Sequence, residues 1–531
     1  MLDGTSQSTG YVSGACALVW SYYPALPKEV IKGLLMKTVD PVLTTPRRCL
    51  SGGRVNLHNA MTLIPSGDPG KVLNSKDDPT NPDNLYTTIQ AAIDAADDGD
   101  ELIAEADRLF IEAIDFKGKA ITLRSGDINE PTNPAISPDN TFIVGILNDG
   151  SAVTFASNEG PDTILKGFTV SWGNADYGGG IRCDGTSPTI TDCIITNNFA
   201  KFYGAGIDCS NSSPTIKNCT ITNNQTAGST AIGGGINCEN SSPVIENCLI
   251  SYNFADNVGG GIACYNSNPT IFNCVIANNS AVYKSGGIDL DSSSPEITNC
   301  TIIVDDLNAS KDGGIFAYHD SSPVITNCIL WGNGDDLYNC SATYSCIEDD
   351  DEGKGNIHIE PTFVTGPLGN YYLSQTAAGQ LSDSTCVDIG DPATNPDLLV
   401  NTYTTRTDGI TDTDVADMGA HYPALPAKSV QLNITVMGDG RVEPDSGPFR
   451  QYEVVQIKAY PSDGHRIKAW TGTEDDSSTE PDKIITMIVD TDITVEFEEI
   501  PLYQLRTEVV GSNGTITPHH RRGEYYPEGT V

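Results

Sequence analysis

Between residues 178 and 331 the apolar positions recur in fixed short phrases. "GGGI", "GAGI", "GGGI", "GGGI", "SGGI" and "DGGI" end at Ile181, Ile207, Ile236, Ile262, Ile288 and Ile315. Each is followed by "SPTITDC", "SPTIKNC", "SPVIENC", "NPTIFNC", "SPEITNC" or "SPVITNC", whose prolines lie 26, 29, 26, 26 and 28 residues apart. A repeat of this length marks a solenoid. The Gly, Pro, Asn and β-branched content excludes helices. Each unit holds three strand-like pieces, Gly-Gly-Ile-x-Cys, Pro-Thr-Ile-Thr and Cys-x-Ile-x-Asn-Asn, which predicts a parallel β-helix of three sheets. The register then stacks Ile181 on its counterparts. It stacks Ile190 with Ile216, Ile245, Ile271, Ile297 and Ile325, and Cys193 with Cys219, Cys248, Cys274, Cys300 and Cys328. Cys183, Cys209, Cys238 and Cys264 form a fourth stack, continued by Leu290 and Ala317. Asn218, Asn247, Asn273, Asn299 and Asn327 suit left-handed turns, with side chains bonded up the stack. The 29-residue unit, carrying "QTAGSTAIGGGI", is expected to bulge outward without shifting the register.

Elsewhere the pattern changes. Val12, Ala15, Cys16, Val19 and Trp20 have helical spacing. "LPKEVIKGLLMKTVDP" and "GGRVNLHNAMTLI" predict two further helices, and "YTTIQAAIDAADDGDELI" a short one with Ile89, Ala92, Ile93 and Ala96 on one side. The tail alternates apolar and polar residues between Gly turns and is β. Here His465, Ile467 and Trp470 read as core. "GDGRVEP" recurs as "SNGTITP", a second copy that stops at Val531. The divisions are 1–65, a linker at 66–80, the β-helix with its N-terminal helix and C-terminal cap at 81–423, a linker at 424–430, a β-repeat module at 431–499, and a truncated second module at 502–531.

Composition narrows the function. The 531 residues carry a formal charge of −40. Such a polyanion repels phosphate backbones and anionic lipid, so no nucleic acid is expected as a partner. No apolar run reaches the length of a membrane span. Ten of the fifteen cysteines fall in the stacks and read as small core hydrophobes; without a Cys-x-x-Cys pair zinc is not expected. Cys340, Cys346 and Cys386 fall outside the stacks and are the disulfide candidates. Asp408, Asp412, Asp414 and Asp417 are candidate calcium ligands, or else a solvated acidic loop; no other cofactor is expected.

"DGTSQSTGYVSGACALVWSYYPALPKEVIKGLLMKTVDP" followed by "GGRVNLHNAM" resembles the C-terminal part of a subtilisin-like serine peptidase (subtilase family), over roughly the first 65 residues. The resemblance implies that Ser6 holds the nucleophile position, at the mouth of a helix whose N–H groups can face an oxyanion. Gln7, Ser8, Gly10 and Tyr11 depart from the family's Met-Ala-x-Pro-His. The family's Asp and His precede its Ser, whereas all seven histidines here follow Ser6. This chain alone is therefore expected to be inactive. "YTTIQAAIDAADDGDELI…FKGKAITLRSG" and the repeats resemble the right-handed parallel β-helix (pectin-lyase-like) superfamily. The Gly-Gly-Ile repeats also resemble those of outer-membrane autotransporters. "YSCIEDDDEGKGNIHIEPTFV", "STCVDIGDP" and "DVADMGAHYP" resemble the closing cap of bacterial surface β-helix proteins. The tail resembles cell-surface β-repeat modules of the internalin type. The expected whole is mainly β: a right-handed parallel β-helix solenoid, preceded by a short α-helical subtilase remnant and followed by a small β-repeat domain. The expected parent is an extracellular or cell-surface bacterial peptidase whose acidic β-helix binds a polysaccharide or a cell-surface ligand. The alternatives are a non-catalytic adhesion or structural protein, and a polysaccharide lyase or glycosidase; against the last, Arg182, Lys201, Lys217 and Lys284 are isolated along the repeats.

Overall fold

The computed structural model describes residues 5–22, 31, 40–41, 53–54, 70–130, 138, 140–145, 150–303, 313–393, 402–411, 415–473, 475–504 and 525–527. Two compact units emerge. The first comprises residues 1–361, 385–398 and 414–421, and the second residues 362–384, 399–413 and 422–531.

The first unit is a right-handed parallel β-helix of about seven turns over residues 142–338. Three long sheets run along it. One holds the Gly-Gly-Ile segments, from Ile114–Asp115 through Ile181–Asp184 to Leu337–Tyr338. The second holds the Pro-Thr-Ile segments and the third the Cys-x-Ile segments. Every pairing between successive coils is parallel and in the expected register, Ile181 on Ile207, Ile190 on Ile216 and Cys183 on Cys209. Cys264 passes to Leu290 and Leu290 to Ala317. The stacked Ile and Cys side chains all lie in one continuous buried core. The reason is periodicity: alternation in a strand sends every second residue inward, and an identical coil length repeats that choice.

The stacked thiols pack in one direction. Cys219 Sγ lies 3.2 Å from the Lys217 carbonyl and 3.6 Å from that of Ile190, and Cys248 and Cys274 repeat the arrangement. Asn218, Asn247, Asn273, Asn299 and Asn327 adopt φ between 52° and 57°. Their side chains link Asp192, Asn218, Asn247 and Asn273 in sequence.

Two features go beyond the expected three sheets. A fourth parallel sheet joins Asn174–Tyr177, Phe199–Tyr203, Gln225–Thr226, Phe254–Ala255 and Ser280–Ala281. Beside it runs a second, buried asparagine ladder. The backbone N–H of Asn198 donates to Asn224 Oδ1 (3.1 Å), Asn224 N–H to Asn253 Oδ1 (3.0 Å) and Asn253 N–H to Asn279 Oδ1 (3.0 Å). Each Nδ2 also donates to a carbonyl of the preceding coil, as Asn224 does to Ile195 (2.9 Å). Serines repeat the device: the N–H groups of Thr186, Ser212, Ser241, Ser267 and Ser293 each donate to the Oγ of the next coil's serine. These side chains supply hydrogen bonds at corners where the backbone ladder cannot.

The 29-residue coil keeps its register on both sides. Its extra residues leave the surface near Gly228, with Ser229 and Thr230 exposed. Deleting Gly228, Ser229 and Thr230 restores a 26-residue coil and is expected to change the urea-unfolding free energy by less than about 1 kcal/mol.

The N-terminal end of the solenoid is closed by a helix, Ile89–Ala95, capped by Thr88 Oγ1 accepting from Ala91 N–H at 3.1 Å. Ile89, Ala92 and Ile93 enter the core. Glu112 accepts from the N–H groups of Ile89 and Gln90 at 2.7 and 3.0 Å, filling donors the first turn leaves open. Near the start of the chain a helix spans Thr5–Tyr22. Ala15 and Val19 are buried, Cys16 is half-buried, and Leu18 and Trp20 are exposed. Apart from Ile31 and the terminal Asp40–Pro41, the stretch "LPKEVIKGLLMKTVDP" expected as a helix lies outside the described residues. Gly53–Arg54, at the start of the third expected helix, instead pairs as a short strand with Asp40–Pro41; the rest of that segment lies outside them too.

In the second unit, residues 429–499 form a four-stranded and a three-stranded sheet. Leu432, Ile457, Trp470, Met487 and Val495 fill the space between them. Trp470 Nε1 donates to the Glu480 carbonyl at 3.0 Å, and Ile467 is buried, while His465 is only half-buried. Leu502–Gln504 pairs antiparallel with Tyr525–Pro527.

Candidate functional site

Ser6 lies in the first turn of the Thr5–Tyr22 helix. Its side chain is outside the described residues. The helix begins one residue before it, at Thr5.

Of the four aspartates singled out near the cap, Asp412 and Asp414 lie outside the described residues. Asp408, in the second unit, is buried and clasped by two arginines. Arg406 donates Nε to Oδ1 (3.0 Å) and Nη2 to Oδ2 (2.8 Å), and Arg450 Nη1 reaches Oδ2 at 3.2 Å. Asp417, in the first unit, accepts the Asp388 N–H at 2.7 Å. The Arg406 guanidinium thus holds Asp408 in a bidentate pair. Among the described residues no three His, Cys, Asp or Glu side chains are grouped as metal ligands.

The first sheet carries the most chemistry. The residue between its inward Ile and Cys faces outward and forms a row: Arg182, Asp208, Asn237, Ala263, Asp289 and Phe316. Two residues on, a parallel row reads Asp184, Ser210, Glu239, Tyr265, Asp291 and Tyr318. Although outward, Asp208, Asn237 and Asp289 are at most 2% exposed. The chain entering each strand folds over them, and glycine allows the close approach. A Cβ on Gly233 (φ 67°) would sit 2.9 Å from that of Asn237, and on Gly259 (φ 67°) 2.7 Å from that of Ala263.

Burial pushes the Asp208 carboxyl up to about 7, although Asn237 Nδ2 (2.8 Å), Ser210 Oγ (2.9 Å) and the Arg182 charge favour its ionised form. Burial likewise pushes Asp289 up to about 7, opposed by the Tyr318 hydroxyl (3.3 Å) and Lys284 and reinforced by Asp291. Asn237 gives its amide nitrogen to Asp208. Its Oδ1 and Asp289 Oδ1 are buried acceptors without a partner. Aromatic rings stand at both ends of the rows. Tyr177 lies 5.6 Å from Phe202 and 5.4 Å from Tyr203, while Phe316 stacks on Tyr338 at 4.1 Å under the Lys284 ammonium. His319 Nδ1 is 3.0 Å from Asp291 Oδ1. Alternating acceptors and rings on a rigid sheet can hydrogen-bond and stack a polyhydroxylated ligand. Sequence reading missed Asp208 and Asp289. Their signal is the variable residue of Ile-x-Cys, legible only once the covering chain is known.

Three family models match parts of the chain. Residues 1–99 match the family model of the subtilase family, residues 140–345 that of the right handed beta helix region, and residues 430–501 that of the divergent InlB B-repeat domain. No curated protein and no solved structure matches the chain. A subtilase fragment joined to β-helix and B-repeat domains fits a modular extracellular protein. No described helix is long and apolar enough to cross a membrane.

Proposed function

We propose that the chain belongs to a secreted, modular subtilisin-like endopeptidase in which Ser6 occupies the nucleophile position and the β-helix is a surface- or polysaccharide-binding scaffold. The observation that supports it most is the pair of outward rows on the first sheet, with rings at both ends, directly following a subtilase match. The test is binding of the chain to a panel of immobilised polysaccharides. Tyr177→Ala and Tyr265→Ala, both at exposed rings, are expected to weaken binding at least fivefold without lowering the melting temperature. Binding that survives both changes, or no binding to any glycan, overturns the scaffold reading.

A second reading, a non-catalytic adhesion or structural protein, is favoured by the departures at Gln7, Ser8, Gly10 and Tyr11. A serine without a base is a weak nucleophile, and none of the seven histidines precedes Ser6. The isolated chain is therefore expected to leave Ser6 unlabelled by a fluorophosphonate probe in intact-mass measurements. Stoichiometric labelling at Ser6 would show that the chain activates it unaided. Asp289 and Asp291, two carboxyls on one face of one strand, are the residues a glycosidase reading would use. Release of reducing ends from a bound glycan would support that reading.

A further inference from the structure

The third sheet has its own outward row, which changes character along the solenoid. Ile194, Thr220, Leu249, Val275, Thr301, Ile329 and Cys346 pair in register from coil to coil. The first three are half-buried, and the last four are at most 6% exposed. The difference is a covering layer built from residues 385–393 and 415–421. Ala420 N–H donates to Thr301 Oγ1 (2.9 Å), Gly419 N–H to the Asn327 carbonyl (2.7 Å) and Asp391 N–H to Asn327 Oδ1 (2.7 Å). Asn273 and His421 exchange two hydrogen bonds, at 2.6 and 2.8 Å. Gly419 is pressed so closely on the sheet that a Cβ there would lie 2.7 Å from Ile329 Cδ1.

Cys386 belongs to this layer. Its carbonyl accepts the Met418 N–H at 2.9 Å, beside Gly419. Cys346 is the strand partner of Ile329, the residue Gly419 covers. The two cysteines thus approach from opposite layers. Their thiols are within hydrogen-bond reach of each other, and both are fully buried. The stacked thiols also lie within reach of one another, but those cysteines stand side by side at matching positions of one sheet and point the same way. Facing side chains suit an S–S bond, and parallel ones do not.

We propose that Cys346 and Cys386 form a disulfide that fastens the covering layer to the last coil, while Cys340 and the ten stacked cysteines remain thiols. The oxidant is a small-molecule or protein disulfide. As the layer docks, one cysteine thiolate attacks a sulfur of that disulfide, forming a mixed disulfide and expelling one thiolate. The second cysteine thiolate then attacks the protein sulfur of the mixed disulfide and expels the other. Two protein thiols lose two protons and two electrons, and one disulfide becomes two thiols. Once docked, the bond is buried and shielded from reductant.

The chain refolded in reduced and oxidised glutathione, then denatured and alkylated, is the test. Peptide mapping is expected to find the Cys346–Cys386 cross-link, with Cys340 and the stacked cysteines alkylated. In hydrogen exchange, Cys386→Ser or reduction with a strong dithiol is expected to speed exchange in residues 385–393 and 415–421 at least tenfold and leave residues 181–251 unchanged. Alkylation of both Cys346 and Cys386 in the oxidised protein, or a cross-link from either to another cysteine, overturns the proposal. The mapping uses the unaltered chain, so it decides the matter even if the serine variant does not fold.

Discussion

Asn224→Leu is expected to lower the unfolding free energy by about 3–5 kcal/mol, while Asn223→Gly, one residue away, changes it by less than about 1 kcal/mol. The two asparagines have opposite surroundings. Asn223 has φ 56° and is exposed, so its role is to adopt a left-handed turn that glycine adopts more easily. Asn224 is 1% exposed. Its Oδ1 accepts from the backbone N–H and the Nδ2 of Asn198, at 3.1 and 3.0 Å. Leucine matches its bulk but leaves both donors buried and unpaired, each costing about 1–3 kcal/mol. Urea unfolding of the two variants at one pH checks the contrast. Equal effects would mean that the buried ladder contributes nothing specific.

Raising the pH from 5 to 8 is expected to destabilise the solenoid by roughly 5 kcal/mol, the reverse of ordinary acid denaturation. Asp208 and Asp289 carry the effect. Burial raises both from 3.8 to about 7, so the folded chain holds protons that the unfolded chain has released. The stabilisation is complete below about pH 4 and is lost as pH rises through 7. Each group contributes at most about 1.4 kcal/mol per pH unit. Arg182 and the hydrogen bonds from Asn237 and Ser210 at Asp208, and Lys284 and Tyr318 at Asp289, already work against the shift. The check is the urea midpoint at pH 5, 6, 7 and 8 for the chain and for Asp208→Asn with Asp289→Asn. The double variant is expected to flatten the profile; an unchanged slope would assign it to other groups.

The three long sheets were legible because Ile181, Ile190, Cys193 and their counterparts recur at one spacing, and alternation fixes which way they point. The fourth sheet was not, because Phe199–Tyr203, Gln225–Thr226 and Ser280–Ala281 share no apolar alternation. It stands beside the buried member of each Asn-Asn pair, which in sequence cannot be told from its exposed neighbour. The same limit hid the carboxyls. Asp208 and Asp289 sit where the repeat varies, Arg, Asp, Asn, Ala, Asp, Phe, and the overlying chain that buries them, at Gly204 for Asp208, is not visible in that pattern. Asp408 reads in sequence as part of an aspartate-rich loop, and its pairing with Arg406, two residues earlier, shows only in the fold. Cys346 and Cys386 stood out by falling off the period, but that they face each other required the covering layer.

The buried ladders run one way and the exposed one beside them runs the other. The N–H groups of Ser212 and Asn224 are taken up by the coil that follows, whose Asn amide donates back to the carbonyl behind it, whereas those of Ser213, Ser242 and Ser322 donate to the serine of the coil before. In the buried ladders a coil's corner N–H groups are therefore satisfied only when its successor arrives. A chain leaving the ribosome N-terminus first meets this order naturally, with the Ile89–Ala95 helix as the seed and each new coil laid on a finished template. Growth can stop wherever the next stretch of sequence lacks the corner residues, so the number of coils behaves as an adjustable length. A gene that duplicates one 26-residue unit lengthens the rod by one rung and leaves every existing contact but those at the join intact.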